Sequence, residues 1–156
     1  MRKISSLNAA LLLAVSFILL SSSKCKKDDA VKSKFDMLTQ AGWKITKSEY
    51  KTSAAGAYID ITSTLPSCEK DDVQQYKTTG AYEGNEGATK CFPGDPQVYE
   101  TGTWAFQNND TEIRQTETGG TPLILKIEQL DENTLIVSGS ENIGGTTYYS
   151  RGTFGH

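Results

Sequence analysis

The residues of this 156-residue chain that could do chemistry are few, and its only histidine, His156, is at the last position. A serine nucleophile needs a base held beside it, and an imidazole at a chain end expected to fray is badly placed for that. The chain has no Gly-x-Ser-x-Gly elbow, no phosphate-cradling loop closed by Lys-Ser/Thr and no His-Glu-x-x-His helix. Carboxylates are more plentiful, with Glu69, Asp71, Asp72, Glu83, Glu86 and Asp95 in one stretch. Two of them at the right separation would suffice for glycoside hydrolysis, and several for calcium. However, they fall in turns beside Lys70, Lys77 and Lys90 and lack the alternating Asp-x-Asp-x-Asp order of a calcium loop, so they read as a solvated face. The three cysteines, Cys25, Cys68 and Cys91, include no Cys-x-x-Cys pair that would suggest redox or zinc chemistry. The expectation is a protein that is not an enzyme and has neither cofactor nor metal.

The elements that position these residues read mainly as strands. The composition is 37% apolar and 22% charged, with 14 glycines and many Thr, Ser and Tyr residues, which favours strands and turns over helices. One short helix fits between Val31 and Ala41, where Phe35, Met37 and Leu38 fall near helical spacing, Ser33 is a cap and Gly42 a stop. Beyond it, alternating segments begin at Trp43, Tyr58, Val73, Ala81, Gln97, Thr111, Leu123, Thr134 and Thr146. Gly, Asn and Asp turns separate them, such as Thr79-Gly80, Asn108-Asn109-Asp110, Gly119-Gly120 and Asn142 to Gly145. Asn109-Asp110-Thr111 also fits a glycosylation sequon, but it reads as a turn. Eight or nine short strands at intervals of roughly ten residues predict an all-β fold, an antiparallel up-and-down β-barrel of about eight strands preceded by the short N-terminal helix. Closure removes exposed strand edges and leaves room inside for side chains or one small ligand.

Residues 1–24 have the order of a signal peptide: the basic Met1-Arg2-Lys3, an apolar run from Leu11 to Leu20 broken only by Ser16, and then Ser21-Ser22-Ser23. The run is about half of the ~20 residues a permanent membrane helix requires. Cys25 resembles the lipidated cysteine of bacterial lipoproteins, which becomes an acylated N-terminus. Lys24 stands where that family has Gly, Ala or Ser, and ordinary cleavage after Ser23 is the competing reading. Lys26-Lys27-Asp28-Asp29 is similar to the export tag of surface lipoproteins in Bacteroidetes and serves equally well as a solvated tether. With Cys25 acylated, Cys68 and Cys91 remain to form a disulfide across the hairpin they flank. Residues 25–156 carry 13 basic and 19 acidic side chains, a formal charge of −6, which argues against nucleic acid as a partner.

The order Leu38, Gly42-Trp43, Cys68, Asp71-Asp72, Thr79-Gly80-Ala81-Tyr82, Gly87, Cys91, Gly102-Thr103-Trp104, Leu130 and Leu135-Ile136-Val137 resembles the lipocalin-like domain lipoproteins of Bacteroidetes, over about Phe35 to Phe154. Lipocalins proper carry Gly-x-Trp, whereas here Gly42 directly precedes Trp43, so the strict motif is absent. The resemblance implies a barrel plugged at one end by Trp43, and no particular ligand. The domains expected are a signal peptide (1–24), an acylated cysteine with a flexible tether (25–34) and a barrel (35–156). The expected protein is a monomer of the cell envelope, held to the outer membrane by lipid on its periplasmic or surface face, with a barrel that binds a small apolar or amphipathic ligand. Trp43, Tyr82, Trp104 and Tyr148 are the candidate ligand-binding residues, although most aromatics are expected to fill the core. The alternative is a surface interaction protein that contacts another envelope or host protein through its loops and has no ligand cavity.

Overall fold

A computed structural model describes residues 31–156, so the signal segment, Cys25 and most of the tether lie outside the described residues. The chain order is α1 (Lys34–Thr39), β1 (Trp43–Lys51), β2 (Ile59–Asp60), a 3-10 turn (Thr62–Thr64), β3 (Val73–Tyr76), β4 (Ala81–Asn85), β5 (Val98–Gln107), β6 (Glu112–Glu117), β7 (Pro122–Leu130), β8 (Leu135–Ile143) and β9 (Thr146–Gly155). All pairings are antiparallel, nearly all between strands that follow one another in the chain, and β1 also pairs with β9, closing a barrel of eight strands with β2 appended as a ninth. The expected all-β up-and-down barrel is therefore the observed fold. No helix among the described residues is long and apolar enough to cross a membrane.

The two edges of β1 are held unequally. Against β9 it runs in register from Lys44 opposite Gly155 to Lys51 opposite Tyr149, with one bulge between Ile45 and Lys47. Against β3 only Trp43 with Gln74 and Lys44 with Val73 are paired. Above that short seam the same edge takes β2, through Glu49 with Asp60 and Tyr50 with Ile59. Alternation over Tyr58–Thr62 predicts a longer strand than this. It ends at Asp60 because the Asp60 carboxylate accepts the Thr62 backbone N–H at 2.9 Å, turning the chain, while the Thr62 hydroxyl accepts the Ser48 N–H at 2.9 Å.

The arm between β1 and β2 is pinned to the outer wall by charge. Arg151 and Lys47 each reach the buried Glu49 carboxylate at 2.8 Å, and the Arg151 guanidinium lies 4.1 Å from the centroid of the Tyr58 ring. The hydrogen bond from Lys47, reinforced by Arg151, outweighs desolvation and holds the Glu49 carboxyl below its ordinary range.

One end of the barrel is a floor. Ser33 caps α1 in a reciprocal capping box with Asp36. Leu38 and Trp43 are fully buried, and the Trp43 indole N–H donates to the Leu38 carbonyl at 2.9 Å, so Trp43 plugs this end. Phe35, Tyr76 and Phe106 pack around Trp104 with ring centroids 5.3–5.7 Å apart, and Ile113, Leu135 and Val137 complete the core. The floor also corrects one expectation, because His156 does not fray. Its ring lies 4.1 Å from that of Trp43, and its Nδ1 is 2.9 Å from the Gly42 carbonyl oxygen.

At the other end Cys68 and Cys91 are bonded, with their Cα atoms 5.2 Å apart, tying the segment before β3 to the β4–β5 loop. The loops are stitched further where the Asp71 carboxylate accepts the Ala88 and Thr89 N–H groups at 3.0 and 2.8 Å. Gly87 permits this approach: its φ is +66°, and a Cβ there would stand 2.0 Å from the Asp71 carbonyl oxygen. The double variant Cys68→Ser/Cys91→Ser is expected to unfold at lower denaturant with a loss of about 3 kcal/mol by the loop-entropy argument, as measured by equilibrium urea titration.

Candidate functional site

Side chains at alternate positions of each strand enter the barrel, and their sizes decide where it is filled. Around Trp104 they are large. Higher up, on three neighbouring strands, they are small: Ser48 on β1 lies opposite Gly152 on β9, and Ser150 on β9 lies opposite Gly139 on β8. The result is an interior cavity of about 280 Å³ bounded by these four residues, by Leu123, Leu125, Val137, Ile45 and Phe154, by Arg151, whose guanidinium is paired with Glu49, and by Gln74, Tyr76, Tyr82 and Gln115 on the facing wall. Gly152 also makes room for Phe154, whose ring atom Cε2 would lie 2.6 Å from a Cβ at that position.

The facing wall is polar and its groups bond to one another. The Tyr76 hydroxyl donates to the Gln115 side-chain oxygen at 3.2 Å, and the Gln115 amide donates to Glu100 at 3.3 Å. Tyr82 donates to the Gln74 oxygen, while the Gln74 amide donates to the Tyr99 hydroxyl at 2.9 Å. Burial pushes the hydroxyls of Tyr76 and Tyr82 far up, so both stay protonated as donors. Burial, reinforced by Glu117, likewise raises the Glu100 carboxyl.

A second cavity, of about 420 Å³, lies where the β1–β3 seam has run out and forms the mouth. It shares Ile45, Ser48, Gln74 and Phe154 with the interior cavity and adds Leu65, Glu69, Asp72, Glu86, Cys91, Phe92, Asp95 and Tyr99. Glu86 is only 7% exposed and accepts one long hydrogen bond, from the Cys91 N–H at 3.4 Å. The Asp72 carboxyl is pushed up to about 6 by desolvation and by Glu86, Asp71 and Glu69. Among the described residues no three His, Cys, Asp or Glu side chains are grouped to hold a metal ion.

Of the four aromatic residues expected to contact a ligand, the structure puts Tyr82 on the cavity wall. Trp43 and Trp104 lie in the floor, where their indole N–H groups are spent on the Leu38 and Lys77 carbonyls, at 2.9 and 3.0 Å. Tyr148 is 38% exposed on β9 and lines neither cavity. Sequence reasoning missed Gln74, Gln115 and the small residues of β1, β8 and β9. The signal available was Gly or Ser at inward positions of strands otherwise rich in bulky side chains. No protein-family model and no curated protein matches this chain. Fold and site together define a small closed antiparallel barrel with an interior cavity and a disulfide-braced, acidic mouth.

Because Asp72 binds its proton more tightly in the folded protein, its contribution to stability is greatest below its ordinary value of 3.8 and is lost as the pH climbs through about 6. Asp72→Asn is therefore expected to stabilise the protein at pH 7.5 by on the order of 1–2 kcal/mol and to flatten the stability profile between pH 4 and 6, read by denaturant titration across that range.

Proposed function

We propose that the protein is a lipid-anchored envelope lipoprotein that works by binding, with a small amphipathic molecule as the occupant of its barrel. The cavity carries this reading. Its volume of about 280 Å³ lies just below the roughly 300–1,000 Å³ typical of small-molecule sites, enough for a small occupant, and an aliphatic wall faces amides and hydroxyls, as an amphipathic occupant requires. Binding is favoured over catalysis because His156, the only imidazole, is engaged with Trp43 and Gly42 at the floor. The resemblance to the lipocalin-like lipoproteins of Bacteroidetes supports the same assignment, as does the order of the signal segment ahead of Cys25. Two or three acyl chains on that cysteine suffice for stable attachment at ~0.8 kcal/mol per buried CH₂, so the protein needs no further membrane contact.

Titration with 1-hexanol is expected to shift the amide resonances of Leu125, Val137, Gly139 and Ser150. Gly139→Phe, which puts a ring into the void, should weaken that binding at least tenfold while the protein still melts cooperatively. If wild-type protein shows no shift in these resonances with hexanol, nor with an amine or carboxylate of the same chain length, the binding reading falls and the surface interaction reading takes its place. Anchoring is tested separately: the mature protein from its own cells should carry the mass of acyl chains on Cys25, and Cys25→Ser should move it from the membrane pellet to the soluble fraction.

A further inference from the structure

The mouth is one-sided in charge. Glu69, Asp72, Glu86 and Asp95 line it, no lysine or arginine does, and none of the four has an ion-pair partner within 4.0 Å among the described residues. The nearby Lys90 spends its ammonium on the Asp95 backbone carbonyl, at 2.6 Å. Two other acids with little exposure are paired, Glu49 between Lys47 and Arg151 and Glu83 beside Lys77. On the wall of the mouth, the nine-tenths-buried Glu86 has only its long contact to Cys91. An unpaired, desolvated carboxylate is costly, and a cation arriving with the occupant would offset that cost.

Resting on the binding function proposed above, we infer that the occupant is a small organic cation, an amine with an aliphatic or aromatic body. Its ammonium lies among Asp72, Glu86 and Glu69, and its body passes Ile45 and Phe154 into the barrel. A bare metal ion fits less well, because no convergent set of oxygen ligands exists among the described residues. The mouth adds aromatic faces instead, from Tyr99 and from Phe92, which is 69% exposed at the rim, and both suit an ammonium group better than an anion. An anionic amphiphile, such as a fatty acid, would bring a carboxylate up against four others.

The test compares n-hexylamine, 1-hexanol and hexanoate, three probes of one chain length, by calorimetry and amide-shift titration at pH 7.5 on the disulfide-bonded protein. Hexylamine is expected to bind at least tenfold tighter than hexanol, with hexanoate weakest and the amine's advantage shrinking as salt rises from 20 to 500 mM. The double variant Asp72→Asn/Glu86→Gln should bring the amine-to-alcohol affinity ratio to about one. Equal binding of all three probes, or a preference for hexanoate, would overturn the cationic assignment and leave the binding function standing. Binding of none of them would remove both.

Discussion

The structure depends on one strand serving two edges at once. Eight strands in sequence make only a curved sheet until the first finds the last, and here β1 closes the circle with a long ladder to β9. Closure leaves no free edge along that seam and encloses the inward side chains. The other edge of β1 must then be shared between β3 below and β2 above, because β3 starts only at Val73 and meets it for two residue pairs. The mouth exists because that ladder is short, and the disulfide and the Asp71 stitches hold the loops that surround the resulting gap.

The periodic features were legible in the sequence. Alternation and turn residues marked each of the strands, since burying one face of a strand fixes the period of two, and three consecutive residues with positive φ at Asn108, Asn109 and Asp110 bear out the reading of that segment as a turn. The paired cysteines and the short capped helix were legible for equally local reasons. What alternation cannot show is volume. It assigns Gly139, Ser150 and Gly152 to the inner face, but only registry across β8, β9 and β1 shows that small residues from different hairpins meet at one height. Large aromatics draw attention as ligand contacts, yet Trp43 and Trp104 are the residues best able to fill a floor. The docking of His156 was hidden similarly, because it depends on Gly42 and Trp43, more than a hundred residues earlier in the chain.

The interior divides its polar groups by role. Gln74, Gln115, Tyr76 and Tyr82 satisfy one another along one wall, which fixes their orientations before anything enters. The acids of the mouth are not satisfied in this way, and their mutual repulsion adds to the desolvation that raises Asp72. The wall is thus preorganised, while the entrance retains unspent electrostatic potential.

The floor bears on direction. Helix α1 is tied to that end: Lys34 donates to the Asp110 carbonyl in the β5–β6 turn, and Gln40 to the Glu132 carbonyl in the β7–β8 turn. The chain therefore joins the barrel at its sealed pole, and the mouth opens at the opposite pole, among the β4–β5 loop and the segment ahead of β3. Ser33, at the head of α1, therefore sits on the sealed side of the barrel, and the mouth faces away from it. Anything passing through that opening would do so on the side of the domain remote from the helix.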